Sequence, residues 1–262
     1  MKTLIMGILN YTPDSFSDGG LYNTPDLAAE RAVEIESLGA DIIDIGCNST
    51  RPGADILSGD EELKRLVPAL RSVIGKVRIP VSVDTFYPEC AAEAFRQGAE
   101  IINDVSGEFN PEIAALAVKH SGKYIVTHNP GGADFTAEYP RGITAAVREF
   151  FEDCVIKAGK CGLDRSSLIL DPGFGFGKSE SDNYELLSNL SLVKIEGYAL
   201  LAALSRKRFI RSCLPARSDW ATSAANALAI INGADMIRVH NVEAAVQSAA
   251  VADKIRKGRE NG

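Results

Sequence analysis

Short apolar runs rich in Ile and Val alternate with longer amphipathic stretches along the whole chain. The short runs have the length of buried β-strands, and the longer stretches repeat apolar residues at the spacing of helices. Such alternation is typical of βα units, in which helices cover a parallel sheet. The predicted strands are Thr3–Asn10, Asp41–Gly46, Val81–Asp84, Glu100–Asp104, Lys123–His128, Leu168–Asp171, Tyr198–Leu204 and Asp235–His240.

Eight helical stretches follow these strands. Three near-repeats, which begin at Gly39, Gly98 and Gly233, place glycine where a helix ends and a strand is about to begin. No shift in composition marks a domain boundary, so the pattern predicts an α/β protein with a (β/α)8 TIM barrel as a single domain over residues 1–262. The predicted helices are Pro25–Leu38, Glu61–Ile74, Glu89–Gln97, Pro111–Val118, Thr144–Ala158, Asn183–Leu190, Ala221–Asn232 and Val242–Ile255.

Composition excludes several classes of partner. The 262 residues are 45% apolar and 24% charged, with a formal net charge of −7. Basic residues are scattered rather than clustered, so no nucleic-acid partner is predicted. No apolar run is long enough to span a bilayer, so no membrane partner is predicted either. Five cysteines form no Cys-x-x-Cys pair and cannot all pair within one chain, which predicts reduced thiols and a cytoplasmic location.

Polar side chains end every predicted strand. In a (β/α)8 barrel the carboxyl ends of the strands form the active-site face, so these side chains are expected to converge. Arg238 and His240 lie two residues apart, and the period of a strand places both on one face, which predicts an anion site. The strand-end residues are Asn10, Asp44, Asp84, Asn103, Asp104, His128, Asp171, Ser205, Arg206, Lys207, Arg238 and His240.

Helix capping is the simpler explanation for any single strand-end residue, because Asp and Asn often cap the helix that follows. It explains the whole set less well, because the segments 10–23 and 47–60 are long and rich in Gly and Pro. Loops of this length in a compact barrel usually form lids or binding sites.

The polar residues of this face divide into two chemical groups. One group offers donors that suit a phosphate or pyrophosphate, because Arg can pair with two oxygens at once. The other offers acceptors that suit a flat heterocycle with adjacent N–H groups. One ligand with a donor-rich ring and phosphates satisfies both. The donor group is Asn10, Arg51, Arg238 and His240, and the acceptor group is Asp84, Asn103 and Asp171.

Seven segments resemble, in order and spacing, the motif series of bacterial dihydropteroate synthases. The resemblance extends from Met6 to about Val242, and its first two motifs are long and highly specific. The segments are MGILNYTPDSFSDGG, GADIIDIGCNSTRPGA, VSVDT, GAEIINDVSG, LILDPGFGFGK, LSRK and GADMIRVHNV.

The resemblance implies a folate-pathway transferase that condenses 6-hydroxymethyl-7,8-dihydropterin pyrophosphate with p-aminobenzoate, giving 7,8-dihydropteroate and pyrophosphate. It also implies Mg²⁺ as cofactor, a homodimer, and a p-aminobenzoate site that sulfonamide drugs, which mimic p-aminobenzoate, would also occupy. The implied pterin site is Asp84, Asn103, Asp171 and Lys207, with Asp44 nearby. The implied site for pyrophosphate and Mg²⁺ is Asn10, Arg51, Arg238 and His240, with Asn10 as the protein contact to the metal. The implied p-aminobenzoate site is Phe16, Thr50, Pro52, Phe176 and Ser205. The implied catalytic residues are Asp84, Asp171, Lys207 and Arg238.

The chain departs from the family pattern at three places. Cys47 and Asn48 stand where a small residue and an acid are usual, so one negative charge is lost, which would either loosen the second long loop or change its partner. The segment 127–130 replaces a more typical Met-His-Met run, and Ala203 stands where glycine is common, which predicts a pocket narrower by a methyl group.

Other functions remain open on the sequence alone. A pterin-binding paralogue without turnover is compatible with the departures at Cys47, Asn48 and Ala203. A Mg²⁺-dependent lyase barrel would use four aspartates as metal ligands but leaves Arg51 and Arg238 unexplained. An aldolase-type Schiff base at Lys207 and a pterin-dependent methyltransferase barrel also explain less of the motif series. The four aspartates of the lyase hypothesis are Asp44, Asp84, Asp104 and Asp171.

Overall fold

A closed barrel of eight parallel strands in sequence order forms the centre of the fold, as the predicted (β/α)8 pattern requires. The computed structural model describes residues 2–11, 24–48, 56–131, 135–213 and 218–260. The strands are β1 (Leu4–Asn10), β2 (Ile42–Gly46), β3 (Val81–Asp84), β4 (Ile101–Asp104), β5 (Lys123–Thr127), β6 (Leu168–Asp171), β7 (Ala199–Ala202) and β8 (Met236–Val239).

Helices surround the barrel, and most lie within a few residues of the predicted ranges. None of the helices in the described ranges combines the length and the apolar character needed to cross a membrane. The helices are α1 (Pro25–Ser37), α2 (Gly59–Val73), α3 (Pro88–Gln97), α4 (Pro111–Lys119), α5 (Ile143–Lys160), α6 (Glu180–Ser188), α7 (Leu190–Val193), α8 (Arg208–Cys213), α9 (Ser218–Ile231) and α10 (Val242–Glu260), and a 3₁₀ turn spans Arg165–Ser167.

Some predicted boundaries were wrong for identifiable reasons. α2 begins two residues early because Ser58 caps it in a capping box with Glu61, and α6 begins three residues early because Ser179 forms the same motif with Asp182. The short helices α7 and α8 were not predicted, since neither is long enough to show a helical period.

Side chains that point into the barrel form an apolar layer below a polar one. Successive residues of a strand alternate between its faces, so residues two apart share a face. The apolar layer is Met6, Ile42, Ile101, Ile125, Ile169, Leu201 and Met236. Two positions after four of these residues come Asp44, Asn103, Asp171 and Arg238. The strand period therefore places four polar groups directly above an apolar floor, at the carboxyl ends of the strands.

A polar cluster ties the first strand to the last helix at the opposite end of the barrel. The Thr3 N–H and hydroxyl donate to the Asp253 carboxylate at 2.9 and 2.7 Å, and Arg256 Nη2 donates to the same carboxylate at 3.0 Å. Arg256 Nη1 also donates to the Ala234 carbonyl at 2.9 Å. The cluster joins residues about 250 positions apart, where β1 meets β8.

We expect Asp253→Ala to lower the free energy of unfolding by about 2 kcal/mol, since it removes charged hydrogen bonds from three partly buried donors. Urea unfolding measures the change. Asp153→Ala is the matched control, because its bridge to Lys157 is half exposed and should contribute under about 0.5 kcal/mol. Equal unfolding midpoints for the two variants would contradict a role for Asp253 in closing the barrel.

Candidate active site

Arg238 is the centre of the polar layer. Its Nε donates to Asp44 Oδ2 at 2.6 Å and its Nη2 donates to Asp84 Oδ2 at 2.7 Å. Asn103 Nδ2 donates to the same Asp44 oxygen at 3.2 Å. One connected network thus joins the neighbouring strands β2, β3 and β4 to β8, which β1 separates from β2. In this network the buried Asp44 and the largely buried Asp84 share a single guanidinium.

The network holds more negative than positive charge in a poorly hydrated place. Burial raises the pKa of Asp84 to about 7, and the Asp44 carboxylate adds to this shift while Arg238 opposes it. Burial disfavours the charged form of Arg238, but the Asp44 and Asp84 carboxylates outweigh it and raise the Arg238 pKa. Arg238 is therefore cationic at neutral pH, whereas Asp84 gains or loses its proton near that pH.

Two buried oxygens of this network face no donor within the described part of the chain. They are Asp44 Oδ1 and Asn103 Oδ1. A buried acceptor without a donor costs free energy unless a ligand or water supplies an N–H or O–H. The pocket floor is therefore suited to a ligand with several N–H groups in one plane.

Asp171 and Lys207 form the opposite wall of the pocket. Asp171 is 3% exposed, and its Oδ1 accepts the Gly173 N–H at 2.7 Å. Burial raises the Asp171 pKa, which the Gly173 bond and Lys207 oppose. Burial lowers the Lys207 pKa to about 8, although Asp171 favours the charged amine. Lys207 Nζ lies 4.0 Å from the centre of the Phe176 ring, a cation–π contact that brings Phe176 to the same wall.

Ser205 and His240 meet at the rim between β7 and β8. Ser205 Oγ and His240 Nδ1 are 2.9 Å apart, and the backbone N–H of His240 donates to Ser205 Oγ at 3.2 Å. Asn10 ends β1 and is paired in register with Gly46, which is itself paired with Asp84. The rim is therefore polar and continuous with the Arg238 network.

Asp104 does not face this pocket. Its Oδ2 accepts the Tyr124 hydroxyl at 2.8 Å and its Oδ1 accepts the Ser106 N–H at 2.8 Å. Asn103 points inward, so strand alternation turns Asp104 outward. The described residues contain no group of three His, Cys, Asp or Glu side chains that could hold a metal ion. The alternative hypothesis of a four-aspartate metal site therefore fails at Asp104.

A match to the family model described as pterin binding enzyme covers residues 6–240. The dihydropteroate synthase of Synechocystis sp. is 42% identical over 97% of this chain and 90% of that protein. The dihydropteroate synthase of Bacillus subtilis is 40% identical over 96% of this chain and 88% of that protein. The chain belongs to the dihydropteroate synthase family.

Solved structures of the dihydropteroate synthase family share the whole fold. The Yersinia pestis enzyme, solved with a sulfonamide drug complex, has a TM-score of 0.90 at 34% identity over 98% of this chain and 95% of that one. The Xanthomonas albilineans enzyme, solved with 4-aminobenzoic acid, has a TM-score of 0.89 at 38% identity over 97% of this chain and 93% of that one.

The departure from the dihydropteroate synthase pattern at Asn48 has a structural partner. Asn48 Nδ2 donates to the buried Glu62 carboxylate at 3.1 Å, and Asn48 Oδ1 accepts the Leu57 N–H at 3.2 Å. Burial raises the Glu62 pKa, and the Asn48 bond opposes that shift. An acid at position 48 would place a second carboxylate beside Glu62, whereas the amide donates a hydrogen bond to Glu62 Oε2.

Cys47, the other half of this departure, is not a reactive thiol. Its side chain is buried, and burial raises its pKa well above the ordinary value, with Glu62 adding to the shift. A buried neutral thiol acts as a small apolar side chain. His128 is also buried, which lowers its pKa to about 3, and its ring meets Phe150 edge-on at 5.2 Å. It therefore helps to fix the loop after β5 rather than exchange protons.

The structure brings together the expected residues of β2, β3, β4, β6, β7 and β8 but leaves part of the predicted set untested. Phe16, Thr50, Arg51 and Pro52 lie outside the described residues. Sequence analysis also missed Lys178, a buried lysine at the end of the β6–α6 loop. The sequence signal for Lys178 was the glycine-rich segment that ends at Gly177. Such a segment can turn tightly and bring its backbone carbonyls close to the next side chain.

Proposed function

We propose that this chain condenses 6-hydroxymethyl-7,8-dihydropterin pyrophosphate with p-aminobenzoate to give 7,8-dihydropteroate and pyrophosphate. The observation that carries the proposal is the largely buried floor of Asp44, Asp84 and Asn103 around Arg238, in which Asp44 Oδ1 and Asn103 Oδ1 accept no hydrogen bond from the described residues. Such a floor suits the N–H groups of a pterin ring. The family relation and the structure of the Xanthomonas albilineans enzyme with 4-aminobenzoic acid support the second substrate.

The pterin ring would lie on the polar layer of the barrel. Asp84, Asn103 and Asp171 would accept its N–H groups, and Asp44 would complete the floor. Lys207 would donate to a ring oxygen or nitrogen from the opposite wall. Because the floor is buried, each of these hydrogen bonds forms in a low-dielectric place, where a charge-assisted bond contributes about 1.5–3 kcal/mol.

The pyrophosphate would lie towards the rim, near Asn10, Arg238 and His240, with Arg51 from the second long loop. Arg238 uses Nε and Nη2 for its carboxylates, and a guanidinium has five N–H donors, so others remain for an anion. Arg238 would then connect the pterin floor to the leaving group.

The chemistry follows from where charge develops. The C–O bond between the pterin methylene and pyrophosphate breaks, and the amine nitrogen of p-aminobenzoate forms the new C–N bond and afterwards releases a proton to water. Positive charge grows on the methylene and ring, where the Asp84 and Asp171 carboxylates stabilise it. Negative charge grows on the leaving group, where Arg238 stabilises it. An aniline nitrogen attacks as the free amine, so no general base is assigned.

Mg²⁺ is the proposed cofactor and Asn10 its proposed protein contact. Among the described residues no cluster of carboxylates or histidines forms a protein cage for a metal. The donor set fits Mg²⁺ held mainly by water and substrate phosphate, with one amide oxygen from Asn10, since Mg²⁺ commonly keeps several waters and few protein ligands. Bound there, the ion would neutralise pyrophosphate charge.

The p-aminobenzoate site would lie between Phe176, Ser205 and the two long loops that carry Phe16, Thr50 and Pro52. Phe176 is held under Lys207 at the pocket wall, which gives the aromatic amine a flat apolar surface. The Yersinia pestis structure with a sulfonamide drug complex supports sulfonamide binding by this chain.

The proposed active species is a homodimer in the cytoplasm. Apolar side chains lie exposed on the outer faces of α9 and α10, including Leu228 (53%), Val251 (60%) and Trp220 (76%). Exposed apolar groups on two helices that pack together suit an interface with a second copy. Light scattering of the purified protein decides this, because a mass of one chain, 28.0 kDa, would contradict the dimer.

Lys207 gives the proposed activity a predicted pH dependence. Its pKa of about 8 means that the cation is lost as pH rises through that value, so kcat/KM for the pterin pyrophosphate should fall on the alkaline side. Lys207→Arg keeps a charge at every accessible pH and should move this fall to higher pH. A pH profile of both enzymes measures it, and a fall at the same pH in both would exclude Lys207 as its origin.

Unfolding should show the opposite pH trend. The folded pKa of about 8 for Lys207 lies below the ordinary 10.5, so the unfolded chain binds more protons between these values. The free energy of unfolding should therefore rise with pH over that range, because the buried Lys207 amine becomes neutral in the folded protein. Lys207→Arg should remove this contribution.

The test of the proposed function is pyrophosphate release by the purified protein given dihydropterin pyrophosphate and Mg²⁺, with and without p-aminobenzoate. Release that requires p-aminobenzoate, and that a Mg²⁺ chelator abolishes, is the expected result. Binding of the pterin pyrophosphate in calorimetry without any release would instead support the non-catalytic paralogue. Absence of binding would overturn the pterin assignment.

A further inference from the structure

Lys178 is a buried lysine whose ammonium binds three backbone carbonyls. It is 3% exposed, and its Nζ donates to Gly173 O at 2.8 Å, Phe176 O at 2.9 Å and His128 O at 3.1 Å. An ammonium has three N–H groups, so all of its donors are used on backbone oxygens.

These carbonyls belong to two different loops at the active-site face. Gly173 and Phe176 lie in the β6–α6 loop, and His128 directly follows β5. The loops touch at Gly173, whose φ of +66° suits glycine and where any side chain would collide with the His128 carbonyl. Gly177 O extends the contact by accepting the Tyr139 hydroxyl at 2.8 Å. Lys178 is thus a crosslink between the loops.

The crosslinked loop carries two groups of the pocket wall. Gly173 N–H donates to Asp171 at its beginning, and the Phe176 ring lies 4.0 Å below Lys207 Nζ near its end. Asp171 is also fixed by β6, whereas Phe176 follows four residues of loop. A loosened crosslink should therefore displace Phe176 more than Asp171.

Packing alone does not account for a lysine at this position. Burial lowers its pKa to about 7, a sign that removing the ammonium from water is costly. A buried charge is often no more stabilising than an apolar side chain of similar volume. What the ammonium supplies and a methionine could not is simultaneous attachment to three carbonyls.

We propose that Lys178 is a positioning residue that holds the β6–α6 loop so that Phe176 presents its ring to the aromatic amine substrate. The inference rests on the proposed function only for the identity of that substrate. The attachment of the loop itself is independent of it.

The test compares Lys178→Met with wild type and with Lys160→Met, an exposed lysine on α5. Hydrogen exchange of the Gly173, Gly175 and Phe176 amides should accelerate by about tenfold or more in Lys178→Met only, as expected for loss of about one hydrogen bond per carbonyl. This measurement uses the ligand-free protein, so it decides the attachment whether or not the chain is a synthase.

Kinetics then test the positioning role. Lys178→Met should raise the KM for p-aminobenzoate by roughly tenfold, while the calorimetric affinity for dihydropterin pyrophosphate changes by less than about threefold. A fold that was merely destabilised would weaken the binding of both substrates. Combined with Phe176→Leu, it should add little further loss, since residues that act through one contact are not additive.

Three outcomes would overturn the proposal: unchanged exchange of the loop amides, equal losses for both substrates, or full additivity with Phe176→Leu. If Lys178→Met does not fold, Lys178→Gln retains a shorter polar head with two donors and should accelerate the same amides. Wild-type exchange in that variant would equally overturn the proposal. If the wild-type protein showed no p-aminobenzoate-dependent release of pyrophosphate, the proposed function would be overturned, but the attachment of the loop by Lys178 would not.

Discussion

Arg238→Leu is expected to lower kcat/KM by about 10³ or more, because a single change removes the guanidinium that Asp44 and Asp84 share and that would face the leaving group. Asp44 and Asp84 would then lie close together without the guanidinium that binds both. Removing one partner of a buried ion pair typically costs about 3–5 kcal/mol. We therefore expect the largest combined loss of activity and stability at this position.

The stability loss should depend on pH in a defined direction. Asp84 already has a pKa raised to about 7 by burial, and loss of Arg238 removes a group that lowers it. A carboxyl group with a folded pKa above its ordinary 3.8 binds more protons when folded, so its stability contribution falls as pH rises between these values. Arg238→Leu should therefore be destabilised more at pH 7.5 than at pH 5, relative to wild type, in urea unfolding.

Arg96→Leu is the matched control for this change. Arg96 pairs with Glu93 on the exposed side of α3, and its loss should cost under about 1 kcal/mol with little pH dependence. If Arg238→Leu behaved like Arg96→Leu in stability and retained turnover, the Arg238 network would not be the centre of the site.

Asp171→Asn is expected to weaken binding of the dihydropterin pyrophosphate by about 10²-fold, the loss of one buried charge-assisted hydrogen bond. The amide has the same shape, and its oxygen can still accept the Gly173 N–H, so the wall should keep its structure. The lost charge also removes a group that favours the protonated form of Lys207. Turnover should fall further than binding, because the carboxylate is assigned to the developing positive charge.

Calorimetry with the pterin pyrophosphate and no amine measures this effect, and Asp104→Asn provides the control. Asp104 is also a buried aspartate at a strand end, but it binds Tyr124 and Ser106 away from the pocket. Its replacement should leave the affinity within about twofold, since no ligand contact is lost. Equal affinities for wild type and Asp171→Asn would remove Asp171 from the pterin site.

Strand period explains why so much of the site was predictable from the sequence. A residue two positions beyond a member of the interior apolar layer must also face the barrel interior, so Asp44, Asn103, Asp171 and Arg238 converge once the fold is a closed barrel. The same alternation directs Asn103 into the barrel and Asp104 towards the helices, so the two neighbouring residues should not have been expected in one site.

Contacts between distant segments were not predictable in this way. The sequence does not show that Arg238 pairs with two aspartate side chains as well as being available to an anionic ligand. That pairing depends on the distances between β2, β3 and β8. Likewise, Lys178 follows a glycine-rich segment, and a lysine there would ordinarily be exposed. Its burial arises from the meeting of two loops, and short α7 and α8 likewise depend on tertiary packing.

The most direct test of the proposed reaction is to follow ¹⁵N-labelled p-aminobenzoate and pyrophosphate in the same incubation with dihydropterin pyrophosphate and Mg²⁺. The account predicts one ¹⁵N-labelled pterin conjugate for each pyrophosphate released. Pyrophosphate accompanied by hydroxymethylpterin and unchanged p-aminobenzoate would mean that water captures the pterin carbon. That result would contradict the assignment of this pocket to carbon–nitrogen bond formation.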